Sequence, residues 1–319
     1  MLTVMMATHN GAGTLPLVLE AYVGLEPPAG GWSVVIADNG STDATKDLIH
    51  AFAGRLPLTY VYEPTPGKNQ ALNAALPAAI GDLVVFTDDD AVPRPDWLSR
   101  FRAAADTQTE FHMFGGRIVP RWPEPPEPWI LALVPLSVVY GISPPLQPGP
   151  VGRQWVFGAN MAVRKAIFDL GYCFDPTIGP RGTDYAQGSE AELTQRLERA
   201  GYRAWFCSEA VIEHLISPDH LTEEWILKRA RRYGRGRIRR SATESRGWAI
   251  TGLNVPAPLA FHLVVQAVRI VMAWARRDRT ALFTARWAWN YLLGQAQEVR
   301  GCASTRRRRP NTSTSHPAA

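Results

Sequence analysis

The 319-residue sequence predicts an α/β fold, a mostly parallel sheet flanked by helices, with a C-terminal helical extension. Three observations predict it. Short β-branched runs alternate with helix-spaced stretches through the first 120 residues, each run closes in a polar cluster, and an acidic body gives way to a strongly basic last third. Strands alternating with helices need crossover connections, which set neighbouring strands parallel and cover the sheet with helices.

The apolar runs at 2–7, 33–37, 58–62 and 83–87 have strand length, and 14–24, 43–55 and 69–80 between them carry helical spacing. Residues 120–150 hold ten of the 26 prolines, which exclude a regular helix or a central strand. Such a long loop is either a functional lid or a surface excursion. Residues 155–164 read as a strand with Gly158-Ala159-Asn160 inside it, 189–199 as a helix, and 202–206 and 211–214 as short strands. A basic helix over 222–240 is followed by helices over 259–275 and 280–299, joined by Arg276-Arg277-Asp278-Arg279. The Arg-, Ser- and Thr-rich tail, 301–319, is expected to be disordered.

The net charge of +5 conceals a split. Residues 1–220 carry 15 Lys+Arg and 24 Asp+Glu, a balance of −9, whereas residues 221–319 carry 19 and 5, a balance of +14. Such an asymmetry marks a part that meets an anionic surface. Cys173, Cys207 and Cys302 are far apart and odd in number, which argues against a disulfide framework and for a reducing cytoplasm. The opening MLTVMMATHN has neither a basic n-region nor a cleavage site, so no signal peptide is expected.

In open α/β sheets the ligand crevice lies beyond the carboxyl ends of the strands. Thr8-His9-Asn10, the ADNGSTD segment that begins at Ala37, and Asp88-Asp89-Asp90 all fall there. Three adjacent carboxylates repel one another, and a hard divalent cation such as Mg²⁺ or Mn²⁺ relieves that repulsion. In an extended segment Asp88 and Asp90 share a face that Asp89 does not, so one or two can hold metal while another takes a ribose hydroxyl. Asp38 can accept a hydrogen bond from a base or sugar, and can equally close an Asx-turn before a helix capped by Ser41 or Thr42. Lys68 opens a helix and suits phosphate, although Tyr62 and Asn69 rule out a P-loop. Ser189 and Glu192 match a capping box, which leaves Glu190 in a first helical turn, where the dipole favours an ionised carboxylate able to act as a general base. His214, alone after an apolar run, is more often structural than a ligand.

ATHN (7–10), ADNGSTDAT (37–45), GKNQALNAALPAAIGDLVVFTDDDAVPRPDWL (67–98), FGANMAVRK (157–165), GSEAELTQRLERAGYRAWF (188–206) and His214 after AVIE stand in order, and together they resemble a family 2 glycosyltransferase of the GT-A fold over about residues 1–240. The resemblance implies a catalytic domain over 1–220, with a nucleotide-sugar half at 1–120 and an acceptor half at 120–220, followed by C-terminal helices over 221–300. It implies a nucleotide-diphosphate sugar donor, UDP-sugar foremost, contacted by Thr8, Asn10, Asp38, Lys68, Asp88, Asp89, Gly158 and Asn160. It implies Mg²⁺ or Mn²⁺ held by Asp88, Asp90 and His214, with Glu190 as catalytic base where the family usually carries Asp. The expected reaction is metal-dependent, inverting transfer to a saccharide or lipid-linked acceptor in cell-surface polysaccharide or glycolipid synthesis.

Two other classes fit less of the sequence. A sugar-phosphate nucleotidyltransferase would want a basic, Gly-rich loop after the first strand, but no Lys or Arg occurs before Lys46. A non-catalytic basic module would leave the ordered carboxylates unexplained. Lys228–Arg240 carries eight Lys/Arg. This run reads as a solvated face, as diphosphate contacts from Arg231 or Arg232, or as a patch for an anionic membrane; no nucleic-acid recognition motif accompanies it. Residues 247–268 carry no charge, and Gly252, Asn254, Pro256 and Pro258 break their first half. The helices beyond, with Trp274, Trp287 and Trp289, suit packing on the body, a homodimer, or peripheral attachment to the cytoplasmic face of a membrane; attachment is favoured over a purely soluble hairpin, and a true span is not expected.

Overall fold

The computed structural model describes residues 1–182, 185–241 and 255–307, with side chains through Gly301. The chain divides into two compact units, Met1–Ile226 and Leu227–Ala319.

In the first unit the elements run β1 (Leu2–Thr8), α1 (Leu15–Val23), β2 (Trp32–Asp38), α2 (Thr45–Ala51), β3 (Leu58–Tyr62), α3 (Lys68–Ala75), β4 (Leu83–Asp88), β5 (Ala91–Pro93) and α4 (Trp97–Thr107). They continue with β6 (Met113–Arg121), α5 (Pro128–Leu133), α6 (Leu136–Val139), β7 (Gly149–Val151), β8 (Asn160–Arg164), α7 (Lys165–Asp169), α8 (Ser189–Arg199) and β9 (Ala204–Leu215). The strands form one sheet in the order β3-β2-β1-β4-β8-β6-β9-β5, with β7 on β9. It is parallel through β3-β2-β1-β4, antiparallel at β4–β8 and β8–β6, and parallel again at β6–β9.

Leu2, Val4 and Met6 of β1 enter one core cluster and Met5 and Ala7 the other. Both faces of the central strands are therefore covered, and their sequence reads as a continuous apolar run. Register sets the functional edge: Thr8 lies beside Asp38, Ala7 beside Asp88, Thr87 beside Asn160 and Ala91 beside His214. The carboxyl ends of β1, β2 and β4 thus share one rim with the start of β8 and the end of β9.

Several boundaries differ from the sequence reading, each for a local reason. The helix expected over 69–80 ends at Ala75 in a 3-10 turn, because Pro77 disfavours helical geometry before it. The proline-rich stretch does form helices: Pro128 occupies the start of α5, where a missing N–H costs nothing, and α6 begins straight after Pro135. Neither expected cap forms. Asp43, not Ser41 or Thr42, accepts from the Thr45 amide at 3.0 Å. Gly188, with φ 114°, is the N-cap of α8, while Glu192 pairs with Arg196 at 2.6 Å.

The strand expected over 155–164 begins only at Asn160, and the two short strands at 202–206 and 211–214 are one, β9. Its register against β6 slips between Gly116 and Arg117, opposite Ser208-Glu209-Ala210. Asn160 holds that irregularity, donating to Arg117 O and Ala210 O at 2.9 Å each and accepting from Trp97 Nε1 at 2.8 Å. A Cβ on Gly116 would lie 2.3 Å from Asn160 Nδ2 and 2.6 Å from Ala210 O. Gly116→Ala is accordingly expected to cost at least about 2 kcal/mol, from overpacking and a buried amide displaced from its partners. Denaturant melts compared with the neighbouring Arg117→Ala would check this.

The second unit contains most of α9 (Glu223–Ser241), with α10 (Ala257–Ala275) and α11 (Arg279–Arg307). Helix α9 crosses α11 at paired glycines: a Cβ on Gly234 would sit 2.0 Å from Tyr291 O, and one on Gly294 2.0 Å from Arg231 O. Arg235 and Arg239 converge there on Glu298, at 3.1 and 2.6 Å. Helix α11 reaches Arg307, so the first seven residues of the expected disordered tail are helical. Residues 308–319, and 242–254 of the uncharged stretch, lie outside the described residues.

Candidate active site

Asp38 ends β2 almost fully buried. Its Oδ1 accepts from the Ser41 amide at 2.9 Å, closing the Asx-turn, and its Oδ2 accepts from Tyr60 Oη at 2.8 Å. Asn10, at φ 53°, ties the same turn to β1: its amide donates to Ser41 Oγ at 2.9 Å and its Oδ1 accepts from the Thr42 amide at 2.8 Å. Both residues thus brace the turn at the carboxyl end of β2.

Asn39 has a role the sequence reading missed. Its Nδ2 donates to Glu63 O at 2.9 Å and Thr65 O at 2.7 Å, and its Oδ1 accepts from the Gly67 amide at 2.7 Å. One side chain therefore positions the whole approach to Lys68. Gly67, at φ 140°, starts α3 and puts Lys68 at its first turn.

The three aspartates divide. Lys68 Nζ donates to Asp88 Oδ1. Burial works against the Lys68 ammonium, but Asp88, Glu190 and Asp90 outweigh it and hold its pKa above the usual lysine range. Asp89 turns the other way and accepts from Thr8 Oγ1. Burial, then the carboxylates of Asp90 and Asp88, push Asp89 up to about 7. Gly11 makes the Thr8–Asp89 contact possible, since a Cβ there would lie 2.3 Å from Thr8 Oγ1 and 2.7 Å from Asp89 Oδ2.

Asp90 faces His214, with Oδ2 at 3.3 Å from Nε2. The other imidazole nitrogen, Nδ1, donates to Tyr140 O at 2.7 Å, so the tautomer is set and Nε2 is directed at the carboxylate. Burial opposes charge on both groups, yet each favours the charged form of the other: Asp90 raises His214, and His214 and Lys68 keep Asp90 below the usual carboxylate range. Tyr140 lies in the proline-rich stretch, stacked on Trp225, which stacks on His220. The stretch therefore supports the site, which composition alone did not show.

Asp90 Oδ1 is buried with no hydrogen-bond partner. An orphaned carboxylate oxygen beside a tautomer-fixed imidazole nitrogen fits a divalent cation. Among the described residues no three His, Cys, Asp or Glu side chains converge on one point. The expected ligand trio is thus not assembled: Asp90 and His214 face each other while Lys68 holds Asp88.

Glu190 sits half-buried in the first turn of α8. A Cβ on Gly158 would lie 3.2 Å from Glu190 Cδ, so the glycine is what lets this carboxylate settle against the chain before β8. Asn160 does not join it. It is 0% exposed and its amide is spent on Trp97, Arg117 and Ala210, so the expected donor contact gives way to a structural bracket.

The glycosyl transferase family 2 model matches residues 3–135, and the glycosyl transferase family group 2 model matches residues 83–296. A curated relative, glycosyltransferase AglE of Haloferax volcanii, is 22% identical over 240 residues, 74% of this chain and 72% of its own. The glucosyl-dolichyl phosphate glucuronosyltransferase of the same organism is 24% identical over 158 residues, 47% of this chain and 48% of its own. Among solved structures, mannosyltransferase PcManGT from Pyrobaculum calidifontis in complex with GDP-Man and Mn2+ superposes with TM-score 0.61 at 21% identity, over 94% of this chain and 86% of that one. S. aureus TarS 1-349 in complex with UDP-GlcNAc gives 0.54 at 15% identity, over 94% and 92%. These likenesses share the GT-A fold. With a family model spanning most of its length, this chain belongs to the family 2 glycosyltransferases.

Proposed function

We propose that the chain transfers a sugar from a nucleotide-diphosphate donor to a hydroxyl of a saccharide or lipid-linked acceptor, with inversion and with Mg²⁺ or Mn²⁺, at the cytoplasmic face of a membrane where surface polysaccharide or glycolipid is made. The observation that carries the chemistry is the rim itself. Lys68 lies close enough to Asp88, Glu190 and Asp90 for each carboxylate to raise its pKa, and Asp90 in turn faces His214 at 3.3 Å.

The donor's nucleoside lies over the ends of β1 and β2, beside Asp38, Asn10 and Thr8. Asp88, oriented by Lys68, and Asp89 meet the ribose and diphosphate. Glu190 accepts the proton of the acceptor hydroxyl as that oxygen attacks the anomeric carbon from the face opposite the departing nucleoside diphosphate. Asp90 and His214 would hold the cation. Its chemistry is to neutralise charge developing on the leaving diphosphate.

Incubation with UDP-, GDP-, dTDP- and CDP-sugars is expected to release nucleoside diphosphate from one of them, only with Mn²⁺ or Mg²⁺, and to yield product of inverted anomeric configuration. Sugar-1-phosphate release instead would mean nucleotidyl transfer. Turnover of none, with or without a saccharide or lipid-linked saccharide acceptor, would overturn the proposal.

A further inference from the structure

Helix α10 is apolar around most of its circumference. Leu259, Gln266 and Ala273, seven residues apart, are buried, and Leu259 packs with Val255, Leu263, Leu292 and Ala296 in the seam against α11. The opposite face is uncovered. Phe261, Val264, Val268 and Val271, spaced by 3, 4 and 3, are 66, 63, 52 and 63% exposed, and Met272 and Trp274 extend the patch to the helix end, Trp274 at 72%. Isolated exposed apolar residues are ordinary, but six contiguous ones on a helix mark a docking surface.

The charge around the patch selects the occupant. Arg269 borders the stripe, and Arg276, Arg277 and Arg279 close its C-terminal end, against a single Asp278. The complementary surface is apolar at its centre and anionic at its rim. A second copy of this helix meets that requirement poorly, because it offers only Asp278 as an anionic partner for Arg269, Arg276, Arg277 and Arg279. A bilayer interface rich in anionic lipid meets it: the valines and Phe261 enter the acyl boundary, the Trp274 ring settles at headgroup depth, and the arginines reach phosphate.

By length and composition α10 is also apolar enough to cross a membrane, at 19 residues and mean hydropathy 1.5. Its packing argues against that. The buried seam commits α10 to α11, which carries Arg279, Arg286, Asn290 and Glu298, and a spanning α10 would carry those groups into hydrocarbon. The basic run of α9 is less suited to be the contact, since Arg235 and Arg239 are already spent on the buried Glu298.

We infer that α10 lies in the plane of an anionic membrane, its Phe261–Val264–Val268–Val271 face inserted and the Arg276–Arg279 turn at the headgroups. This deepens the membrane-peripheral part of the proposed function by naming the surface. Its test involves no catalysis, so glycosyl transfer and docking stand or fall separately.

The full chain is mixed with vesicles of phosphatidylcholine alone and of phosphatidylcholine with one-third phosphatidylglycerol, then sedimented. Binding to the anionic vesicles, reduced by salt, is expected. Val264→Glu with Val268→Glu should lower the partition coefficient by about tenfold or more, and Arg276→Glu with Arg277→Glu by a comparable factor. Because all four positions are exposed, circular dichroism should be unchanged. No sedimentation with anionic vesicles, or sedimentation indifferent to the valine substitutions, overturns the inference. So does a wild-type dimer that those substitutions make monomeric without any vesicle binding, which assigns the face to a second copy. Retention of the chain in cell membranes after alkaline carbonate extraction would assign it to a span instead.

Discussion

Glu190→Gln is expected to lower kcat by about 10²–10⁴-fold, the range a positioned general base supplies, while the affinity for the donor changes little. Glutamine keeps the length and shape that pack against Gly158 and removes only the capacity to take a proton. The affected quantity is therefore the chemical step, read as kcat at saturating donor and acceptor, with donor binding followed separately by calorimetry. Glu190→Asp should keep a base but withdraw it by a methylene, and misplacement on that scale costs about 10²-fold. Gly158 offers an independent approach to the same carboxylate. Alanine there would set a methyl 3.2 Å from Glu190 Cδ and Cγ, so Glu190 must shift. Gly158→Ala should reduce kcat with little change in donor KM, and in a Glu190→Gln background that loss should largely disappear, because the group being displaced no longer does chemistry. Full turnover by Glu190→Gln, or additive losses in the double variant, would take the base assignment away.

Much of the architecture was legible because the relevant signals are local. Runs such as LTVMMAT and LVVFTD are apolar on both faces and β-branched, and the structure buries them between two core clusters. The exact ends of the helices were less so: the expected helix ran through Pro77, which ends α3, and the expected Ser189 cap gave way to Gly188. What was not legible depends on distant partners. The continuity of β9 through Ser208-Glu209-Ala210 rests on Asn160 and Gly116, which are remote in sequence from that segment. Asn160 stood in a motif that pointed to the donor, and nothing local said that its amide would be consumed by Trp97 and two carbonyls. The division of the acidic triplet was likewise hidden: extended geometry separates Asp89 from its neighbours, but only the fold brings Lys68 to Asp88 and His214 to Asp90. Tyr140 reaches His214 through its backbone oxygen, a contact that its side-chain identity does not signal.

Asp90→Asn should abolish most metal-dependent activity, by about 10²–10³-fold in kcat/KM, the scale of losing one preorganised charge-stabilising group. The substitution keeps the volume and removes the charge that faces His214 at 3.3 Å. With Asp90 neutral, burial acts on His214 without its main opposing charge, and its pKa should fall from the raised position it now holds. Oδ1 accepts no internal hydrogen bond, so the side-chain contact altered is that of Oδ2 with His214, and a denaturant melt of the variant separates its stability from its activity. Chelation supplies the decisive comparison. EDTA should bring the wild-type enzyme down to about the Asp90→Asn level, and should have little further effect on the variant, because both remove the same contribution. His214→Ala should fall between the untreated wild type and Asp90→Asn, since the charged ligand, Asp90, remains, and its Mn²⁺ requirement should shift to higher concentration. If EDTA inhibits Asp90→Asn by the same factor as the wild type, the cation is held elsewhere, and the Asp90–His214 pair is a buried ion pair that supports the rim without contacting the donor's diphosphate.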